Sequence, residues 1–226
     1  CGEGFGKVDP DEWTLDASPS PRNNSWFLCA LGARRGLTFL EQQPEVDGDR
    51  LGVYGHSMGG KLAVMVAGTD NRVKAAAPSC GGISHRQDDN ELLQATICDD
   101  AYLKHITCPI IFLSPANDFH GRIDDLPRST YEIQTREWRA TCAPHHNHQD
   151  TAPYEVATQV WMDHILKKTL NCPQTPRTNL DLRTADGTPS ITVTPDRSRA
   201  IRTVDVYYTQ QGQEDGKPDD RDNTMN

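Results

Sequence analysis

The feature that most constrains this chain is Gly55-His56-Ser57-Met58-Gly59, set between an apolar run at 51–54 and a small-residue run at 61–68. Strand, turn and helix with Gly-x-Ser-x-Gly at the junction is the pattern of a nucleophile elbow, where a strained backbone lifts the serine hydroxyl clear of the turn. The glycines let strand and helix pass closely, since a side chain there would collide with the opposing backbone. An inert Gly/Ser turn has the same five letters. The strand before it and the helix after it favour the catalytic reading.

Elements on either side extend the pattern. Trp26, Ala30, Ala33, Leu37 and Leu40 recur at spacings of three and four, which predicts a helix over 24–43 with one apolar face, capped by Asn24 or Ser25. Residues 50–55 predict a strand, 59–68 a helix and 73–78 a second buried strand. Residues 80–105 are a polar excursion with a weak helix near 92–97. Residues 109–114 form a continuous apolar run and the clearest strand. Residues 126–136 predict a helix, 138–142 a strand and 153–168 a helix with Tyr154, Ala157, Trp161 and Ile165 on one face. Alternating strands and helices imply an α/β fold, a mainly parallel sheet flanked by helices.

The pattern changes after Pro173 and Pro176. Residues 180–183, 190–194 and 203–208 read as short strands separated by turns such as Asp186-Gly187, and 210–226 is polar and acidic. We therefore divide the chain into an α/β catalytic domain over 1–172 and a β-rich segment over 173–226, the start of a β-sandwich module.

Charge and composition narrow the function. A net charge of −9 opposes a nucleic-acid partner, which needs clustered Lys and Arg. No apolar stretch approaches the roughly 20 residues that span a bilayer, so no membrane partner is expected. None of the seven cysteines forms a C-x-x-C. Cys29, Cys108 and Cys142 lie in apolar runs and are expected as buried thiols; Cys80 and Cys98 flank a polar segment and are a candidate pair in an oxidising compartment.

Ser57 needs a base and a group to orient that base. The expected chain order is Ser, acid, His. Asp118 follows the 109–114 strand and His148 follows the 138–142 strand. Order, location and residue type agree, and the candidate triad is Ser57, Asp118 and His148, with the Met58 backbone N–H as one oxyanion-hole donor. Asp124 and Asp125 compete with Asp118, and His145 and His146 compete with His148. His56 is the elbow's variable residue; His120 belongs either to the pocket rim or to the surface. The His145, His146, His148 cluster lacks the i, i+4 spacing of a zinc site, and the tail acids Asp215, Asp219, Asp220 and Asp222 lack the spacing of a calcium loop. No metal and no cofactor are expected.

Three segments carry a resemblance: Asp49-Arg50-Leu51-Gly52-Val53-Tyr54-Gly55-His56-Ser57-Met58-Gly59-Gly60, Ser114-Pro115-Ala116-Asn117-Asp118 and Pro144-His145-His146-Asn147-His148. Together they resemble the α/β-hydrolase superfamily, and more closely its dienelactone-hydrolase-like and acetylxylan-esterase-like branch, over roughly residues 24–170. The resemblance implies a serine carboxylesterase working through an acyl-enzyme, without a metal. It further implies a secreted or periplasmic enzyme acting on a small-molecule or polysaccharide ester. Dienelactone hydrolases tend to carry Cys where this chain has Ser57, which favours ordinary ester hydrolysis over lactone opening. The family fold has strands before the 24–43 helix, one of them bearing the second oxyanion donor, so truncation at both ends is expected. A peptidase on the same fold and a non-catalytic binding protein or inactive fragment are the competing readings.

Overall fold

A computed structural model describes residue 22 and residues 24–83, 95–144 and 146–207. Helix α1 (Ser25–Glu41) begins where the Asn24 side chain accepts the Trp26 N–H at 2.8 Å, an N-cap that satisfies one orphan donor. Then come β1 (Leu51–His56), α2 (Met58–Ala67), β2 (Val73–Ser79), the single turn α3 (Asp100–Leu103), β3 (Ile110–Leu113), α4 (Leu126–Glu132), β4 (Trp138–Thr141) and α5 (Ala152–Met162). A π-helical turn, Asp163–Lys167, extends α5 and ends at Lys168 in the left-handed conformation (φ 56°).

The four strands form one sheet in the order β1-β2-β3-β4, every pair parallel. Period-2 alternation divides the core between its faces. Ala76, Ile110 and Phe112 join Val64 and Val66 of α2 and Leu103 of α3 on one side. Ala75, Ala77, Ile111 and Leu113 meet Tyr154 and Trp161 of α5 on the other. Both central strands are covered twice, and so they read as unbroken apolar runs. All four strands end on the same side, where the loops after β1, β3 and β4 meet.

Several expectations shift. Of the predicted α1 face, Trp26, Ala30 and Leu37 are buried, but Ala33 and Leu40 are exposed. In the C-terminal half of α1 only Leu37 enters the core, and polar contacts add to it: Arg34 binds Asp70 at 3.2 Å, and Arg72 reaches the Thr38 hydroxyl at 2.9 Å. Helix α4 stops at Glu132 because the Gln134 and Thr135 N–H groups turn to the Ile106 carbonyl at 3.0 and 3.2 Å. The expected helix near 92–97 lies largely outside the described residues, and α3 was not anticipated. Cys108 is buried as expected, Cys29 only half-buried, and Cys142 exposed because it follows the outer strand β4. Cys80 and Cys98 do not form the expected disulfide pair.

Beyond α5, β5 (Arg177–Asp181) and β6 (Ser190–Thr194) make an antiparallel hairpin with Leu180 opposite Ile191 and Thr178 opposite Val193. The strand expected at 180–183 begins and ends earlier, because Asp181 Oδ1 accepts the Arg183 N–H at 2.9 Å and turns the chain. Gly187, at φ 76°, completes the expected Asp-Gly turn. The strand predicted at 203–208 does not form across 203–207: no strand among the described residues pairs with it there, and its side chains are exposed. Residues 208–226, with the acidic tail, lie outside the described residues.

Candidate active site

Ser57 follows β1 directly and carries φ 56° and ψ −116°, a conformation that L-residues rarely adopt. Its N–H donates to the Ser79 carbonyl at 2.8 Å, and its own carbonyl accepts from Lys61 N–H at 3.1 Å, so the elbow is tied to β2 and to α2. The crossing is tight. A Cβ on Gly55 would lie 2.3 Å from the Gly59 carbonyl oxygen, closer than any real contact, so Gly55 is required by space.

The loops after β3 and β4 bring the other two side chains to this elbow. Ser57 Oγ lies 2.6 Å from His148 Nε2, and His148 Nδ1 lies 2.9 Å from Asp118 Oδ1. The Asp118 side chain is fully buried and that of His148 is 18% exposed. Asp118 Oδ1 also accepts the backbone N–H groups of His120 at 2.7 Å and Gly121 at 2.9 Å. Burial is the largest influence on this carboxyl and pushes its pKa up. The hydrogen bonds from His148, His120 and Gly121 together outweigh it, and the net result is a carboxyl held below its ordinary value of 3.8. Asp118 is therefore ionised at neutral pH and accepts a hydrogen bond from His148 Nδ1–H, which leaves Nε2 as the acceptor facing Ser57.

The competitors fall elsewhere. Asp124 pairs with Arg122 at 3.2 Å, and Asp125 starts α4; neither reaches His148. His146 points its Nδ1 at Gln149 Oε1, 3.2 Å away. His145 lies outside the described residues. His56 stands beside the base, its ring centroid 5.1 Å from that of His148 and its Nδ1 3.3 Å from the Ser79 hydroxyl. Burial lowers its pKa, so it is neutral near pH 7. His120 takes the rim position rather than the surface one: its ring centroid is 5.7 Å from His148, and its Nδ1–H donates to the Cys80 carbonyl at 3.1 Å. Met58 is the first residue of α2, where N–H groups have no intrahelical partner.

Sequence reading missed three neighbours of the site. The Phe119 ring centroid is 4.6 Å from His148, and this side chain is over half exposed. Tyr54 of β1 donates its hydroxyl to Asp150, two residues past His148, and braces that loop. Cys80, at the end of β2, lies with its sulfur within 4.8 Å of both Asp118 and His148. The available signal was position: Phe119 adjoins Asp118, and Cys80 ends a strand on the side where such sheets carry their sites. A cavity of about 500 Å³ sits at the opposite end of β1, lined by Val46, Arg50, Met162 and Leu166, away from this chemistry.

A parallel sheet flanked by helices, with a serine on a strand-to-helix elbow and loops from later strands closing over it, is the α/β-hydrolase fold. Solved structures agree. The chain superposes on an acetyl xylan esterase from Paenibacillus sp. R4 with TM-score 0.58 and 19% identity, covering 68% of this chain and 57% of that one. For acetyl xylan esterase 1 from Thermoanaerobacterium sp. JW/SL YS485 the values are 0.56, 18%, 66% and 55%. The Pyrococcus horikoshii acylaminoacyl peptidase shares the fold at TM-score 0.50 and 14% identity, over 64% of this chain and 28% of that one. Among curated proteins, YtaP of Bacillus subtilis (strain 168), which bears a hydrolase name, is 30% identical over 60 residues, 26% of this chain and 20% of that protein. The chain belongs to the dienelactone hydrolase family, whose profile matches residues 30–149. It spans little more than half the length of the esterases it resembles, and a fifth of YtaP.

Proposed function

We propose that this protein is a serine esterase in which Ser57, His148 and Asp118 act as a catalytic triad. The reading rests on one observation above the others, the continuous hydrogen-bonded line from Ser57 Oγ through both nitrogens of His148 to Asp118 Oδ1. His148 Nε2 takes the Ser57 proton as Oγ attacks the ester carbonyl carbon. Asp118 keeps the imidazole in the tautomer with hydrogen on Nδ1 and stabilises the charge that forms there. The tetrahedral oxyanion is received by the Met58 N–H. Collapse breaks the C–O bond, and the departing alkoxide takes the proton from His148. Water, deprotonated at Nε2, then releases the acid and restores Ser57.

Family membership and the esterases among the fold's relatives support a carboxylic ester over an amide, and Ser57 in place of a cysteine supports simple ester hydrolysis. An acetylated polysaccharide outside the cytoplasm is the substrate class that fits these relatives. We assign the chemistry to residues 1–172, with 173–226 a separate β-rich unit.

A fluorophosphonate probe should label Ser57 once per chain. Ser57→Ala should abolish labelling and lower kcat on p-nitrophenyl acetate by about a million-fold. Labelling that persists in Ser57→Ala would refute the nucleophile. Faster turnover of the matching amide would replace esterase by peptidase.

A further inference from the structure

The structure assigns Cys80 a role as the positioning residue of this site, its thiol joining the loop that carries the base to the loop that carries the acid. The inference rests on the triad reading given above. Cys80 is fully buried at the C-terminal end of β2. Its sulfur lies 3.3 Å from the Gln149 carbonyl oxygen, in reach of an S–H···O bond to the residue after His148, and 3.8 Å from the Ser79 hydroxyl, which donates to it. A carboxylate oxygen of Asp118 and a ring nitrogen of His148 both lie within 4.8 Å of the same sulfur. Asp118 Oδ2, completely buried, has no hydrogen-bond partner among the described residues. The thiol thus has the Gln149 carbonyl of the base loop within bonding reach and the Asp118 carboxylate of the acid loop close by.

The backbone of Cys80 points the same way. It sits at φ 53°, and only Ser57 and Lys168 share a positive φ among described non-glycine residues. An L-residue held there costs free energy unless its surroundings fix it, and such residues gather at functional sites. Its N–H donates to the Leu113 carbonyl at 2.8 Å, and its own carbonyl accepts from His120 Nδ1 at 3.1 Å. A Cβ on Gly121 would lie 2.5 Å from the Cys80 carbonyl carbon, so the acid loop rests directly on this residue.

A thiol suits the position. It is apolar enough to be buried without penalty, its long C–S bond reaches the Gln149 carbonyl, and its single proton makes a weak bond that neither loop monopolises. Burial, with Asp118 next in weight, pushes the thiol pKa up to about 12, so it stays a neutral donor beside the carboxylate. A second negative charge never forms there at working pH.

The test compares Cys80→Ala, which removes the donor, with Cys80→Ser, which keeps one. Turnover of p-nitrophenyl acetate is normalised to Ser57 labelled by fluorophosphonate, and the downfield proton resonance of the His148–Asp118 hydrogen bond is recorded by NMR. Cys80→Ala should lower kcat by roughly 10- to 100-fold with KM nearly constant, since small misplacements of catalytic groups cost that much, and should shift or broaden the resonance. Cys80→Ser should stay within about fivefold of the parent and keep the resonance, because the donor remains. Wild-type kcat and resonance in Cys80→Ala overturn the proposal. So does a loss in Cys80→Ser as deep as in Cys80→Ala. If Cys80→Ala does not fold, Cys80→Ser decides alone: a retained resonance supports the role and a lost one refutes it. The resonance needs no turnover, so a protein that hydrolyses no ester but loses it in Cys80→Ala sinks the esterase reading and leaves this one standing.

Discussion

Strands β3 and β6 both carry β-branched apolar side chains and have opposite fates. Ile110, Ile111, Phe112 and Leu113 are all buried, sandwiched between helices on both faces of the parallel sheet. Ile191 and Val193 are more than half exposed, although they pair across the hairpin with Leu180 and Thr178 on one apolar face. Backbone pairing is equally regular in both. The loops that carry Ser57, Asp118 and His148 all leave the parallel sheet, and none leaves the hairpin. A two-stranded hairpin is marginal by itself and adds little to the stability of the whole.

The largest expected effect tests whether function is confined to the covered sheet. Asp118→Asn should lower kcat by about 10⁴-fold through the wrong imidazole tautomer, as expected for a triad acid. Asp181→Asn in β5 should leave kcat unchanged. Steady-state kinetics on one ester substrate measures both, and comparable losses would erase the contrast.

Stability gives the next contrast. Trp161 is 1% exposed against the sheet, and Trp161→Ala should destabilise the protein by about 3–5 kcal/mol. Ile191→Ala on the bare hairpin face should change stability by no more than about 0.5 kcal/mol. Urea unfolding of the two variants against the parent provides the comparison; a large cost for Ile191→Ala would mean that the hairpin face is covered in solution.

The smallest expected effect concerns acid. Hydrogen bonds from Arg72, aided by Arg34, hold the buried Asp70 carboxyl at about 2, against an ordinary 3.8. Asp118 is lowered as well. Below the ordinary value the unfolded chain takes up protons that the folded one refuses, so stability rises with pH in this window. The contribution of Asp70 is complete above about pH 4 and disappears as the pH falls through 2. Urea midpoints should fall between pH 4 and pH 2, and Asp70→Asn should be less stable at pH 6 and flatter over that window. Asp186 and Asp196 in the C-terminal segment are also lowered, but Asp186 is exposed and Asp196 only half-buried, and Asp186→Asn should leave the profile unmoved. Parallel curves for Asp70→Asn and the parent would remove Asp70 from this account.

Much of the parallel sheet was legible because its signals are local. Apolar runs at 51–54, 73–78 and 110–113, separated by helical periodicity, name the strands without reference to partners. The elbow was legible because Gly55 reports a crossing too tight for a side chain, although at Gly59 a side chain would meet nothing within 4 Å. Where packing or a distant acceptor decided, sequence reading went astray. Ala33 and Leu40 have the right spacing, yet in that part of α1 only Leu37 reaches the core, and the neighbouring contacts are to Arg72 and Asp70. Thr203 and Val204 alternate like a strand but find no partner. Cys80 looked like half of a disulfide because spacing says nothing about which loop will lie over it.

From the chain alone come the α/β class, the elbow and the order Ser57, Asp118, His148. Each depends on short-range constraints: side-chain period, backbone strain at a turn, and the strand ends that precede a loop. The tertiary structure alone decides that Asp118 Oδ1 collects three donors, that His56, Phe119 and His120 surround the His148 ring, and that Cys80 lies between the acid and base loops. Apart from the two local donors at His120 and Gly121, those relations join residues tens of positions apart, and the register of parallel strands, which sets where each loop emerges, exists only once the sheet has formed.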